Sequence, residues 1–263
     1  MDETLPGTVS LTLNQALDQW QHWRKPPHAR PHLEAVLDAG RSNTSLKVGD
    51  GQRSWVVRID GFPSERMGLS RDAEWRALQN AAAADLAPQP AYRNPALRVL
   101  VCEYCEARPG AISSLAEVAA LLRNIHQLPA IKFRLDPLHR ARAYLSVLGE
   151  RELPDALLAA CERLDPVPLT LCHNDLLRAN RLMGKHHMLA LDWEYAAMGD
   201  PLFDLAAVIE GDDMSDDEAK ALHTAWLGDL PTAAEQTRLA DQRRVYRELA
   251  ALWARAMPVL QHT

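Results

Sequence analysis

The stretch from Ser45 to Ile59 leaves the chain little choice of conformation. Two apolar, β-branched runs, Ser45-Leu46-Lys47-Val48 and Ser54-Trp55-Val56-Val57-Arg58-Ile59, flank Gly49-Asp50-Gly51. Asp-Gly supplies the positive φ angles of a tight antiparallel turn, so a β-hairpin is predicted. A helix over residues 70–84 follows, then a connector with Pro88, Pro90 and Pro95, then a strand from Arg98 to Tyr104. From Ser114 the pattern turns helical: Leu115, Val118, Leu121, Leu122 and Ile125 share one face behind the capping box Ser114-x-x-Glu117. Asp136-Pro137 opens another helix that Gly149 is placed to close, and residues 153–164 make a third.

A short strand-rich island interrupts the helices. It holds Leu169-Thr170-Leu171-Cys172 and Met188-Leu189-Ala190-Leu191, with Gly184-Lys185 as a turn between them. Beyond it the chain reads helical to the end, with capping boxes at Ser215-x-x-Glu218 and Thr232-x-x-Glu235. The predicted class is α+β in three parts. Residues 1–37 form a helical extension, with Leu13, Leu17 and Trp20 at helical spacing before a Pro- and His-rich connector. Residues 38–106 form a small antiparallel-sheet lobe and 107–263 a mostly helical lobe, with a cleft expected where two lobes meet.

Composition narrows the partners. Lys and Arg number 29 against 35 Asp and Glu, a net charge of −6, which disfavours nucleic acid because phosphate neutralisation needs a basic surface. The start MDETLPGTVS lacks a basic segment leading into an apolar one, and apolar runs are broken by charges such as Glu117, so a cytoplasmic chain off the membrane is expected. Four cysteines make no disulfide framework in a chain of 263 residues; Cys102-x-x-Cys105 lacks a second pair at zinc spacing and reads as structural.

The island carries the chemistry. Asp175, Asn180 five residues later and Asp192 at the end of the next ribbon have the spacing that phosphoryl transfer from ATP requires. Asp175 can accept the proton of an attacking hydroxyl, Asn180 can offer an amide oxygen to Mg2+, and Asp192 can bridge metal held on phosphates. Hard oxygen donors suit magnesium over zinc. Taken singly, each residue reads as a loop acid or amide that caps a turn; the ordered set does not.

His173-x-Asp175-x4-Asn180, with Asp192-Trp193-Glu194-Tyr195-Ala196 and Gly199-Asp200-Pro201-x-x-Asp204-Leu205-Ala206, resembles the catalytic and metal-binding text of one family branch. That branch is the choline/ethanolamine and thiamine kinases of the aminoglycoside phosphotransferase superfamily, relatives of protein kinases, and the likeness runs over residues 38–256. It implies the bilobal protein-kinase-like fold, with ATP and Mg2+. It also implies that Asp204 ties down the catalytic loop and that His173 supports it. Arg58 would be the phosphate-holding cation, with Glu74 holding Arg58 in place. Ser42 and Asn43, in the turn Ala39-Gly40-Arg41-Ser42-Asn43-Thr44, stand where a phosphate-covering loop belongs. Glu103 and Tyr104 would form the hinge whose backbone reads adenine.

The acceptor is less legible. Choline, ethanolamine and thiamine are cationic, and aromatic faces with carboxylates hold such groups. Candidates are Trp226, Tyr246 and Trp253 on the last helices, with Glu194 and Asp175, although aromatics at helical spacing are more often core. His126 reads as a packed, hydrogen-bonded histidine, adjacent His186 and His187 point to opposite faces, and the acidic run at 212–218 reads as a helix cap. Two alternatives stay open: an aminoglycoside or amino-sugar kinase, and a non-catalytic nucleotide-binding protein of the same fold.

Overall fold

The computed structural model describes residues 5–39, 42–110 and 113–261; Gly40 and Arg41 of the expected phosphate-covering turn lie outside the described residues. The chain divides into two compact units, residues 1–63 with 88–105, and residues 64–87 with 106–263.

The first unit is built on the predicted hairpin. Strands β2 (Asn43–Gly49) and β3 (Ser54–Asp60) pair antiparallel, with Ser45 opposite Arg58 and Val48 opposite Trp55. Asp50 nucleates the turn by accepting hydrogen bonds from the Gln52, Arg53 and His28 amides. Burial pushes its carboxyl upward, but those amides outweigh it and hold the pKa at about 2. Strand β1 (His32–Ala39) flanks β2, while β5 (Val99–Glu103) and β4 (Pro90–Asn94) extend the other side, giving the all-antiparallel order β1-β2-β3-β5-β4.

The N-terminal segment corrects the expectation of an appendage. From helix α1 (Gly7–Leu17), Leu13, Ala16 and Leu17 are buried in one apolar cluster with Trp23, Leu46, Val48, Trp55, Val57 and Val101. Trp23 meets Trp55 edge to face at 5.7 Å between ring centroids. A five-stranded sheet needs one face covered by apolar surface, and residues 5–23 supply that cover.

The second unit is mostly helical. It contains α2 (Arg71–Ala83), α3 (Leu115–His126), α4 (Pro137–Leu148), α5 (Asp155–Glu162), α6 (Pro201–Gly211), α7 (Asp216–Leu227) and α8 (Ala233–Gln261). Ser70 caps α2, and both boxes at Ser114/Glu117 and Ser215/Glu218 form reciprocally. Gly149 closes α4 at φ 72°, a left-handed conformation that glycine enters without steric cost. The predicted helix at 70–84 forms, but α2 clusters with the helical unit and packs on the turn at Trp193–Tyr195. Two small ribbons complete the unit: β6 (Thr170–Cys172) with β9 (Ala197–Gly199), and β7 (Arg181–Met183) with β8 (Met188–Ala190). Among the described residues no helix is long and apolar enough to cross a membrane.

Candidate active site

The ribbons bring the predicted triplet together. Leu191 donates its amide to the Asn180 carbonyl at 2.8 Å, which sets Asp192 at the end of β8 beside the loop carrying Asp175. Asn180 Nδ2 donates to both the backbone oxygen and Oδ2 of Asp175, each at 2.8 Å. Two acceptors fix the orientation of that amide, so the oxygen of Asn180 is its remaining ligand atom. Burial, reinforced by the negative charges of Asp192 and Glu194, pushes the Asp175 carboxyl well above its ordinary value, although the Asn180 bond opposes the shift. Like charges gathered in a buried site are what a bivalent cation would relieve, and the donors are all oxygen, so the set fits Mg2+.

Backbone strain marks the same place. Asn174 and Asp192 occupy the left-handed region at φ 64° and 55°, next to and within the triplet. Asn and Asp tolerate that conformation better than other non-glycine residues, and it persists only where surrounding bonds enforce it. At Asn174, Asp204 does so. Its fully buried carboxylate accepts the His173 amide at 2.9 Å, the Asn174 amide at 2.8 Å and His126 Nε2 at 3.2 Å. Trp226 Nε1 donates to His126 Nδ1 at 3.2 Å. Indole nitrogen is a donor only, so His126 carries its proton on Nε2, facing Asp204. Cys172 lies in the same group, with ligand atoms of the three within 4.8 Å, but His126 and Asp204 are fully engaged in hydrogen bonds, which makes the cluster a buttress.

His173 Nε2 bonds the Leu191 carbonyl at 2.9 Å and its ring packs on Trp193 at 4.8 Å. Burial lowers its pKa and keeps the ring neutral near pH 7, despite the opposing pull of Asp204. The Asp204 carboxyl obeys the opposite balance. Burial alone would raise it, but His126, His173 and the loop amide hold it below the ordinary value of 3.8. A depressed folded-state pKa contributes stability present above the unfolded value and lost as pH falls through the folded one. Hydrogen-exchange protection of the His173 and Asn174 amides is therefore expected to hold at neutral pH and collapse below the ordinary carboxylate range. Undiminished protection there would refute the anchor.

Arg58 and Asp60 are both buried on β3 and pair at 3.3 Å. Glu74, in the helical unit, accepts from Arg71 at 2.9 Å, and the same Arg71 Nη1 reaches buried Glu194 at 3.0 Å. Sequence reading missed this clamp of Arg71, although the i,i+3 spacing from Arg71 to Glu74 was its trace. Ser42 accepts the Gly61 amide at 2.9 Å; a Cβ at Gly61 would lie 2.9 Å from that same oxygen, so the approach requires glycine. Asn43 is buried at the start of β2. The Glu103 and Tyr104 amides donate to Gln89 and Ser54 oxygens at 2.8 and 2.9 Å. Both amides therefore serve the sheet unit's own backbone.

Of the aromatic candidates, Trp226 supports His126. Trp253 Nε1 donates to the Tyr195 hydroxyl at 2.8 Å, and Tyr246 packs on Phe203 at 6.0 Å. Burial and then the charge of Asp175 raise the Tyr246 hydroxyl above its ordinary value, so this ring stands within electrostatic reach of the triplet. Asp212, in the acidic run, accepts the Arg178 amide at 2.8 Å and pairs with Arg181, which anchors the loop before β7.

Comparison with known proteins assigns the chain to a family. Residues 34–236 match APH, the phosphotransferase enzyme family, and the chain belongs to that family. Protein LicA of Haemophilus influenzae is 43% identical over 56 residues, 21% of each chain. Thiamine kinase of Shigella boydii is 28% identical over 188 residues, 67% of this chain and 66% of that protein. The chain thus aligns with about a fifth of LicA's length and just under two thirds of the thiamine kinase. A choline/ethanolamine kinase family protein from Mesorhizobium loti superposes with a TM-score of 0.69 at 25% identity, over 92% of this chain and 85% of that one.

Proposed function

We propose that this chain transfers the γ-phosphoryl group of ATP to the hydroxyl of a small metabolite, with choline, ethanolamine and thiamine first among the acceptors to try. The observation that carries the reading is the Asn180–Asp175 hydrogen bond at 2.8 Å beside the charge of Asp192. Asp175, with its raised pKa, is matched to take a proton from an alcohol as it attacks. Asn180 and Asp192 would hold magnesium, which when bound offsets charge on the donor's phosphates. Asn180 also holds the Asp175 carboxylate in one orientation, and Asp204 with His173 keeps the loop in its strained shape. From the sheet unit, Arg58, paired with Asp60, would meet phosphate oxygens bidentately, and Ser42, Asn43, Glu103 and Tyr104 would line the nucleotide.

An ATP-consumption screen over choline, ethanolamine, thiamine, N-acetylhexosamines and aminoglycosides tests the reading. Acceptor-dependent, magnesium-dependent consumption is expected. Tight nucleotide binding without consumption across acceptors would instead indicate a non-catalytic protein of this fold.

A further inference from the structure

Helix α6 carries two buried carboxylates, and both grip the loop that holds Asp175 and Asn180. Asp204, in its first turn, takes the His173 and Asn174 amides just before Asp175. Asp212, the cap at its far end, takes the Arg178 amide at 2.8 Å and pairs with Arg181, so its two ties straddle Asn180. The Asp212 and Arg181 side chains are only 1% and 4% exposed. A carboxylate at a helix C-terminus faces the negative end of the helix dipole, whereas Asp216, Asp217 and Glu218 sit in the first turn of α7, where the dipole favours them. A sealed acid in an unfavourable field persists where its bonds offset the cost, and here both bonds go to the loop. Arg181 depends on the same contact. Its Nε and Nη1 are shut off from solvent without a hydrogen-bond partner, so among the described residues Asp212 is what compensates the guanidinium.

Between the two ties lies a single helical turn, Arg178–Asn180. The Asn180 amide donates to the Leu177 oxygen at 2.9 Å, and the Leu177 amide donates to the Asp175 oxygen at 2.8 Å. Leu177 also rests on the end of α6, where a Cβ at Gly211 would overlap its Cδ2. Beyond the turn, Arg181 stands opposite Ala190 across the β7–β8 ribbon, and the Leu191 amide reaches the Asn180 oxygen. Holding Arg181 therefore holds the end of the ribbon from which Asp192 follows.

We propose that Asp212 is a positioning residue for magnesium: through Arg178 and Arg181 it holds the turn that presents the Asn180 carboxamide, so that α6 sets the spacing between proton acceptor and metal ligand. This rests on the phosphotransfer reading and adds to it a residue outside the motifs that suggested it. Asp212 acts through its neighbours, as groups that orient a metal's ligands do, and removing such a group weakens metal binding by about ten- to a hundredfold.

Calorimetry on the full chain, with a non-hydrolysable ATP analogue titrated across a magnesium series, tests it. In Asp212→Asn an amide oxygen can still accept from Arg178, but the charge opposite Arg181 is gone. The magnesium concentration giving half of the metal-dependent gain in affinity is expected to rise about tenfold or more, with metal-free affinity at the native level. A merely structural role would lower both affinities together. That result, or an unchanged magnesium requirement in the folded variant, would overturn the proposal. Asp213→Asn removes the same charge from an exposed neighbour and is expected to change neither quantity; an equal shift there would assign the effect to net charge and overturn it as well. Should Asp212→Asn fail to fold, Asp212→Asn combined with Arg181→Met removes the stranded cation too: a raised magnesium requirement supports the assignment and a native one overturns it. The second readout needs neither metal nor nucleotide. Exchange of the Asn180 side-chain amide protons, slowed by their bonds to Asp175, is expected to quicken in whichever variant folds, and unaltered exchange would overturn the proposal. If the native chain shows no magnesium-dependent binding of the analogue, the phosphotransfer reading fails instead, and the Asn180 exchange still decides whether Asp212 holds the turn.

Discussion

Asp175→Asn is expected to lower turnover by at least about a hundredfold while leaving binding of magnesium and ATP near normal, because it removes the proton acceptor and keeps the shape. The Asn180 Nδ2 bond survives, since an amide oxygen at position 175 can still accept it. The same substitution should raise the melting temperature of the nucleotide-free protein. A carboxylate whose folded pKa lies above its unfolded value costs stability once pH exceeds the unfolded value, and Asp175 is raised by burial and by Asp192 and Glu194. Removing the charge removes that cost at neutral pH, the trade between activity and stability expected of a reactive site. Steady-state kinetics with a thermal melt checks both halves; unchanged turnover would exclude Asp175 as the base.

Asp192→Ala is expected to abolish magnesium-dependent nucleotide binding, measured by calorimetry with and without the metal. Position 192 sits at φ 55°, where alanine carries a strain of roughly 1 kcal/mol, so a lost signal could also reflect a distorted loop. Asp192→Asn separates the two, because asparagine tolerates the left-handed region yet lacks the charge. Weakened magnesium dependence in both variants assigns the effect to ligation. Magnesium dependence at the native level in Asp192→Asn would show that the charge of this residue does not matter.

What could be read from the chain followed from local rules. The hairpin, the capping boxes at Ser114 and Ser215 and the closing glycine at 149 are signals written within a few residues, and each forms as expected. Four strands were missed for identifiable reasons. β4 begins at Pro90, which an edge strand tolerates because its outer amides need no partner, so a proline-rich text concealed it. β1 is also an edge, with two register irregularities and no apolar alternation, and β7 and β9 are only three residues long. In the site, Asp175, Asn180 and Asp192 were legible because their spacing is sequential. The partners of Asp204 and the clamp of Arg71 on Glu194 join residues 78 and 123 positions apart, which only tertiary structure reveals.

The left-handed twist at Asn174 limits how this neighbourhood can diversify. Its own side chain performs no proton transfer, yet its amide must reach Asp204 and its Nδ2 the Tyr195 carbonyl from a conformation at φ 64°. Saturation mutagenesis there should retain glycine and aspartate, though with a looser Tyr195, and reject valine, isoleucine and threonine outright. Selection at such a position would guard a bend in the chain, and a census of surviving substitutions would record conformational tolerance where a reader looking for reactivity would see none.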